Sequence, residues 1–321
     1  MIGIWVKSQA EINDKKFLSE LLTLKEQVRF QERFALPEGL RDVVIAGMGG
    51  SGIVGGIFKE LYSKLPVVLA NSYELPDFVE KGTLVVAISY SGNTEETLAA
   101  CAEAKKRGAS IVGITSGGAL AQEAEKVVKV PSGIQPRSAL GYMLMPLLNS
   151  FEACKGGSIE ETYGILERMD NDNSFGQKMA EEIFQGKYIP LVYGTSPYSS
   201  IAYRWSTQFN ENSKVMALWS NFPELNHNNT MALEAGYRLD ELYPICLLSN
   251  KSERIMRRIN ATQEVTGMRF RQIIEPQGTS SLAQVMSLMH IGDYLTYHLA
   301  KLRGVDPLDV SAIESLKAKL K

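Results

Sequence analysis

Asp42-Val43-Val44-Ile45-Ala46-Gly47-Met48-Gly49-Gly50-Ser51-Gly52 decides how the chain folds. Its opening residues read as a strand that is apolar on both faces, and the glycine run leads straight into a segment of helical period. A strand that turns through glycines into a helix begins a β-α-β unit, whose strands are parallel. The same alternation continues outward: Val/Ile-rich runs at Pro66 to Ala70, Thr83 to Ser89, Ser110 to Thr115 and Lys126 to Val130 complete a first parallel sheet. An amphipathic opening helix, roughly Gln9 to Phe34, precedes it. The predicted fold class is α/β.

After the apolar run Ser138 to Cys154, Lys155-Gly156-Gly157-Ser158 interrupts the pattern. A domain boundary is expected there, dividing the chain into residues 1–154 and 155–321. The order then recurs, with a strand at Tyr188 to Gly194, its helix at Ser199 to Phe209, and strands at Lys214 to Leu218, Leu242 to Ser249 and Phe270 to Glu275. Architecture rather than identical letters suggests a duplication, since Tyr193-Gly194-Thr195-Ser196 matches Ala46-Gly47-Met48-Gly49 only loosely. A long helix from about Thr279 to Leu302 and a short one from Val310 to Leu320 close the chain.

With 321 residues, the chain has room for two cores at about 150 residues each. Its 34 Lys and Arg against 36 Asp and Glu exclude the broad positive field of a nucleic-acid or anionic-membrane binder. An anion must therefore meet a local site. The apolar start Met1-Ile2-Gly3-Ile4-Trp5-Val6 has no basic residue before it, and no run approaches the ~20 apolar residues that span a bilayer, so neither a secretion signal nor a membrane span is expected. Cys101, Cys154 and Cys246 are odd in number and far apart, which suits buried thiols in a reducing compartment; a cytoplasmic protein is expected.

Gly47 to Gly52 places free N–H groups and the positive end of a helix where a phosphate can approach the backbone closely. It also satisfies G-x-G-x-x-G, but a dinucleotide site wants an acid at the end of the second strand, where Ala70-Asn71-Ser72 stands and Glu74 comes late. A tight turn with no ligand is the third possibility. Ser89-Tyr90-Ser91-Gly92-Asn93-Thr94-Glu95-Glu96-Thr97 concentrates hydroxyls at a second helix start, able to surround a phosphate monoester. Its structural alternative is a capping box between Asn93 and Glu96 with the serines in a turn. Both loops leave the carboxyl edge of one parallel sheet, and together they favour a phosphate site.

Pro131-Ser132-Gly133-Ile134-Gln135-Pro136-Arg137 brings Arg137 to the first turn of a helix. A cation there opposes the macrodipole by ~0.3–1 kcal/mol, which an anionic partner would offset, with a solvated surface arginine as the alternative. Glu211 ends the helix around Tyr203 to Asn212, whose negative end disfavours carboxylate charge, which would suit it to accept a proton at neutral pH. The alternative is an ordinary solvated terminus. His227, in Glu224-Leu225-Asn226-His227-Asn228-Asn229, and Lys317, in Glu314-Ser315-Leu316-Lys317-Ala318-Lys319, read on their own as loop and surface residues. His290 and His298 lie two turns apart on one helix, too far to chelate one ion without other ligands, so no metal site is expected.

Taken in order, Gly47 to Gly52, Ser89 to Thr97, the P-x-G-x-x-P-R loop ending at Arg137, Gln208-Phe209-Asn210-Glu211-Asn212-Ser213-Lys214, Glu224 to Asn228 and Ile313 to Lys317 resemble the bifunctional phosphoglucose/phosphomannose isomerase family. The resemblance covers nearly the whole chain. It implies two sugar-isomerase (SIS) domains, each a parallel sheet between helical layers, with extra helices at both ends. It also implies reversible aldose–ketose isomerisation of glucose 6-phosphate and mannose 6-phosphate to fructose 6-phosphate through a cis-enediolate, with no cofactor and no metal. Gly50, Ser51, Ser89, Ser91 and Thr94 would hold the phosphate, Glu211 would move the proton between C1 and C2, and Arg137 would stabilise the enediolate oxygen. His227 and Lys317 would assist ring opening, with His227 supplied by the partner subunit of a homodimer. One departure is Leu308-Asp309, where relatives often carry Thr-Pro, which bears on sugar selection. The rival functions are a non-catalytic sugar-phosphate sensor, since single SIS domains serve in regulators, and a nicotinamide-dependent oxidoreductase resting on Gly47 to Gly52.

Overall fold

A computed structural model of the chain describes residues 13–248 and 252–319. Strands β1 (Asp42–Ala46), β2 (Val67–Ala70), β3 (Thr83–Ile88), β4 (Ser110–Thr115) and β5 (Lys126–Lys129) form one sheet in the order β2-β1-β3-β4-β5. Strands β6 (Ile189–Thr195), β7 (Leu218–Phe222), β8 (Leu242–Leu247) and β9 (Gln272–Ile274) form a second, ordered β7-β6-β8-β9. Every pairing in both is parallel. Parallel strands need crossovers, and the helices that supply them cover both faces. Central β3, Thr83-Leu84-Val85-Val86-Ala87-Ile88, is accordingly buried along its whole length. Edge strand β5 instead exposes Lys126 and Lys129, charges that discourage further pairing.

The longer helices are α1 (Gly49–Leu61), α2 (Glu95–Lys106), α3 (Leu140–Ser150), α4 (Ser158–Asn171), α5 (Ser174–Gly186), α6 (Ser199–Glu211), α7 (Glu253–Thr266), α8 (Ser281–Arg303) and α9 (Ser311–Lys319). Helix α8 is buried on nearly every side because α4, α5 and α6 all pack on it. The two sheets share one core: Val43, Ile88 and Met143 belong to the same buried cluster as Trp205, Ile245 and Leu288. Helices α1 and α6 meet across this junction at Gly56, where a Cβ would lie 2.5 Å from Ser200 Oγ and would have to displace that hydroxyl.

Two elements differ from the sequence expectation. The opening helix breaks: residues 13–21 and Leu24–Gln27 are helical, but the chain then leaves the helix. The backbone of residues 30–34 pairs instead with side chains of α3, Phe34 N–H donating to Ser150 Oγ at 2.8 Å and the Asn149 amide to the Phe30 and Glu32 carbonyls. Amphipathic period persisted to Phe34, but tertiary partners claimed those backbone groups. Residues 9–12 of that expectation lie outside the described residues. The strand expected at Lys214 to Leu218 begins only at Leu218. Lys214 has φ +54°, and Val215 N–H donates back to the Phe209 carbonyl, so this stretch closes α6 before the strand starts.

Candidate active site

The strand order reverses between β1 and β3, the point at which ligands enter open α/β sheets. The loops leaving those two strands carry Gly47 to Gly52 and Ser89 to Thr94. No side chain caps the start of α1, and Gly49 sits at φ +52°. The first loop is compressed: a Cβ on Gly47 would come 3.0 Å from Ile88 O, and one on Gly52 2.8 Å from Gly47 O. Gly50 faces the Arg137 turn, its missing Cβ falling 3.5 Å from Arg137 Cα. Ser51 is buried and its hydroxyl points to Met143 Sδ at 3.7 Å.

In the second loop, Ser89 Oγ lies 2.8 Å from Thr94 Oγ1 and accepts from Gly92 N–H, while Ser91 Oγ accepts from Asn93 N–H. The capping-box alternative is not realised, because Asn93 Oδ1 accepts from Ala119 N–H at 3.0 Å and the N-cap residue Thr94 makes no side-chain cap. The hydroxyls therefore belong to the loop's own framework. Tyr90 binds this loop to the next: its hydroxyl donates to Pro131 O at 3.0 Å and accepts from Ile134 N–H at 3.3 Å.

That next loop ends in a tight turn, Pro136–Ser138, which buries Arg137 to 6% exposure and excludes a solvated surface role. Its guanidinium donates to Asn212 Oδ1 (2.8 Å), Gln135 Oε1 (3.1 Å) and Pro307 O (2.6 Å). Nη1 also stands 3.4 Å from Glu211 Oε2. Burial lowers the Arg137 pKa, and the charges of Glu211 and Glu20 oppose that effect. A half-buried Glu211 thus sits beside a buried cation at the C-terminal end of α6. Lys214 Nζ donates to the Glu211 carbonyl at 2.6 Å and to Asp309 O at 2.9 Å, placing a cation at that helix end where its dipole is negative. Burial, with Arg137 nearby, lowers the Lys214 pKa.

Behind this pair, Arg204 Nη1 meets Asp293 Oδ1 at 2.8 Å, Gln208 donates to the same oxygen, and the Asn212 amide donates to Thr296 Oγ1. Arg204 also donates to the backbone carbonyl of Arg137 at 3.3 Å. These supports went unassigned in the sequence, although Arg204, Gln208 and Asn212 recur every fourth residue on a helix with an apolar face.

The structure brings together Gly50, the Ser89–Thr94 loop, Arg137 and Glu211. His227 is exposed in the turn Glu224–His227 after β7, and Lys317 is exposed on α9; no hydrogen bond or ion pair among the described residues joins either to Arg137 or Glu211. The unexpected Leu308-Asp309 abuts the site, since Pro307 O receives Arg137, Asp309 O receives Lys214, and Leu308 packs against the cluster of Phe17, Leu21, Tyr294 and Tyr297. His290 Nε2 lies 2.7 Å from Asp170 Oδ1 and His298 Nε2 2.8 Å from Asn173 Oδ1, interactions within the helical layer around α8. Among the described residues no helix is long and apolar enough to cross a membrane.

Two parallel sheets sharing a core, with paired glycine- and hydroxyl-rich loops at one switch point, define an α/β protein of two SIS domains. Family models agree: one described as an SIS domain matches residues 40–151, and one described as the bacterial phospho-glucose isomerase C-terminal SIS domain matches residues 172–320. A bifunctional phosphoglucose/phosphomannose isomerase of Thermoplasma acidophilum is 50% identical over 95% of this chain and 97% of its own length. A D-glucosamine-6-phosphate 4-epimerase of Sulfolobus acidocaldarius is 30% identical over 85% of this chain and 87% of its own length. The solved C-terminal domain of glucosamine-fructose-6-phosphate aminotransferase from Francisella tularensis superposes with a TM-score of 0.68 at 16% identity, covering 92% of this chain and 97% of that one, a likeness of fold alone. The chain belongs to the bifunctional phosphoglucose/phosphomannose isomerase family.

Proposed function

We propose that the chain interconverts glucose 6-phosphate and mannose 6-phosphate with fructose 6-phosphate through a cis-enediolate. The carrying observation is Glu211 Oε2 at 3.4 Å from the buried Arg137 guanidinium, next to the two loops of the β1/β3 switch point. Moving a proton between carbons beside a carbonyl needs one carboxylate base and a cation facing the oxygen on which charge develops. Glu211 takes the base role and Arg137 the oxyanion role. Gly50, Ser51, Ser89, Ser91 and Thr94 hold the phosphate, through backbone N–H groups of α1 and hydroxyls that exchange their mutual hydrogen bonds for the phosphate oxygens.

His227 and Lys317 assist ring opening in this proposal, His227 coming from the second subunit of a homodimer. Its exposed position supports that arrangement, as does apolar surface on the strand that precedes it: Met216, Leu218 and Trp219 lead into and along edge strand β7, uncovered in the single chain. The division between the domains is placed at Cys154/Lys155, supported by the gap between the two family matches. A cytoplasmic setting follows from the substrates.

The test is an isomerisation assay with both aldose phosphates. Glu211→Gln, which removes the basic carboxylate and keeps its shape, should cost about 10²–10⁴ in kcat, whereas treatment with a chelator should leave turnover unchanged. Parent-like turnover by Glu211→Gln rejects the base. Conversion of glucosamine 6-phosphate at C4, with neither aldose phosphate isomerised, would overturn the proposal in favour of the reaction named for the Sulfolobus relative.

A further inference from the structure

The segment helical over residues 13–21 reaches under the site and contributes a carboxylate that neither phosphate loop accounts for. Glu20 is 3% exposed, and its Oε2 accepts from Gln135 N–H at 2.9 Å. Its other oxygen, Oε1, is buried with no hydrogen-bond partner among the described residues. One turn earlier, fully buried Phe17 places its ring 5.8 Å from the Arg137 guanidinium carbon. Burying a carboxylate with half its acceptors unused is unfavourable, and a helix that merely covered the sheet would do better with an apolar residue there.

What Glu20 grips is the residue that aims Arg137. Gln135 receives Glu20 on its backbone N–H and offers its side-chain Oε1 to Arg137 Nη1 at 3.1 Å. Gln135 also begins the turn that Ser138 N–H closes onto the Gln135 carbonyl. Upstream, Tyr90 fixes Pro131 and Ile134 of the same loop. The loop thus has two anchors, one from the hydroxyl-rich loop and one from the opening helix, and the second lies nearer the guanidinium.

We propose that Glu20 is a positioning residue for the isomerisation, holding Gln135 so that the Arg137 guanidinium faces the developing enediolate oxygen. This rests on the oxyanion role given to Arg137. A displacement of about 1 Å at a catalytic group can cost on the order of 100-fold, so losing this anchor acts on kcat rather than on binding of a phosphate held by other loops.

The experiment compares kcat and KM for glucose 6-phosphate in Glu20→Ala, Glu20→Gln, Arg137→Ala and the Glu20→Ala/Arg137→Ala pair, with thermal melts and circular dichroism on each. Folded Glu20→Ala should lose ~10- to 100-fold in kcat with KM within ~3-fold of the parent. Glu20→Gln, which keeps an acceptor in place, should recover most of that loss. In the Arg137→Ala background Glu20→Ala should cost nothing more, the non-additivity expected of residues acting through one another. Where Glu20→Ala does not fold, Glu20→Asp, which withdraws the acceptor by one carbon, carries the same kcat-against-KM comparison. Parent-level kcat in a folded Glu20 variant lacking the acceptor, or a loss fully additive with Arg137→Ala, overturns the Glu20 role while leaving Arg137 intact. An active Arg137→Ala overturns the site reading itself.

Discussion

The N-terminus of α6, the helix that ends in Glu211, is capped by a residue of the other domain. Glu60 Oε1, near the end of α1, accepts from Ser200 N–H at 2.8 Å and from the Ser200 hydroxyl at 3.0 Å, while Oε2 is buried without a partner among the described residues. Burial outweighs those hydrogen bonds and raises the carboxyl to about 7. A folded-state pKa above the ordinary carboxyl value means that the folded protein binds the extra proton between about pH 4.5 and 7. Stability from this group is therefore greatest below that window and is lost as pH rises through it. Between pH 5 and pH 8 the effect is on the order of 2 kcal/mol. Glu60→Gln keeps an acceptor for Ser200 and cannot ionise, so the parent-minus-variant difference in urea stability should move by that amount between the two pH values, in the variant's favour at pH 8. A difference that stays constant would show the carboxylate to be better solvated than its surroundings indicate.

At the scale of elements, Asp170 joins three helices that carry no catalytic group. From the end of α4 its carboxylate receives Lys25 Nζ of the short Leu24–Gln27 helix at 2.9 Å, and the Tyr294 hydroxyl and His290 Nε2 of α8 at 2.8 and 2.7 Å. Burial works against its charge, but the hydrogen bonds from His290, Lys25 and Tyr294 win and hold its pKa below the usual carboxylate value. Asp170→Ala strands these donors, one of them a buried histidine, and should cost ~3–5 kcal/mol in chemical denaturation; a loss under 1 kcal/mol would mean the donors find water instead. This hub also shows where sequence reading reaches its limit. Strands β1, β3 and β4 and the two site loops were legible because apolar runs and glycine turns are local signals. The break in the opening helix was not, because Phe34 N–H and the Phe30 carbonyl leave helical pairing for α3 side chains more than a hundred residues away. The start of β7 shifted for a similar reason, with Lys214 drawn to the Glu211 and Asp309 carbonyls. Arg137 could be singled out by its place in a helical turn, but its burial depends on two distant segments, carrying Asn212 and Pro307, converging on that turn.

For the whole molecule, the proposed homodimer turns on which subunit supplies His227 to each site. Within one chain Arg137 and Glu211 face each other, whereas His227 stands exposed in the turn after edge strand β7, a strand whose Trp219 is exposed and packs on Tyr203 with ring centroids 5.1 Å apart. If His227 completes the site of its partner, each site takes Glu211 from one subunit and His227 from the other, and a two-fold dimer holds two such mixed sites. Glu211→Gln and His227→Ala homodimers would each be crippled at both sites. When the two variants are unfolded together and refolded in equal amounts, about half the dimers are mixed, and each mixed dimer has one intact site and one doubly damaged one. Isomerase activity should then return to roughly a quarter of the parent value. Were His227 to serve its own chain's site, each mixed dimer would pair one site lacking the base with one lacking the histidine, and refolding would restore nothing beyond the average of the two variants. Recovery near that quarter, checked against the dimer peak in size-exclusion chromatography, thus tests the shared site separately from the chemistry assigned to Glu211.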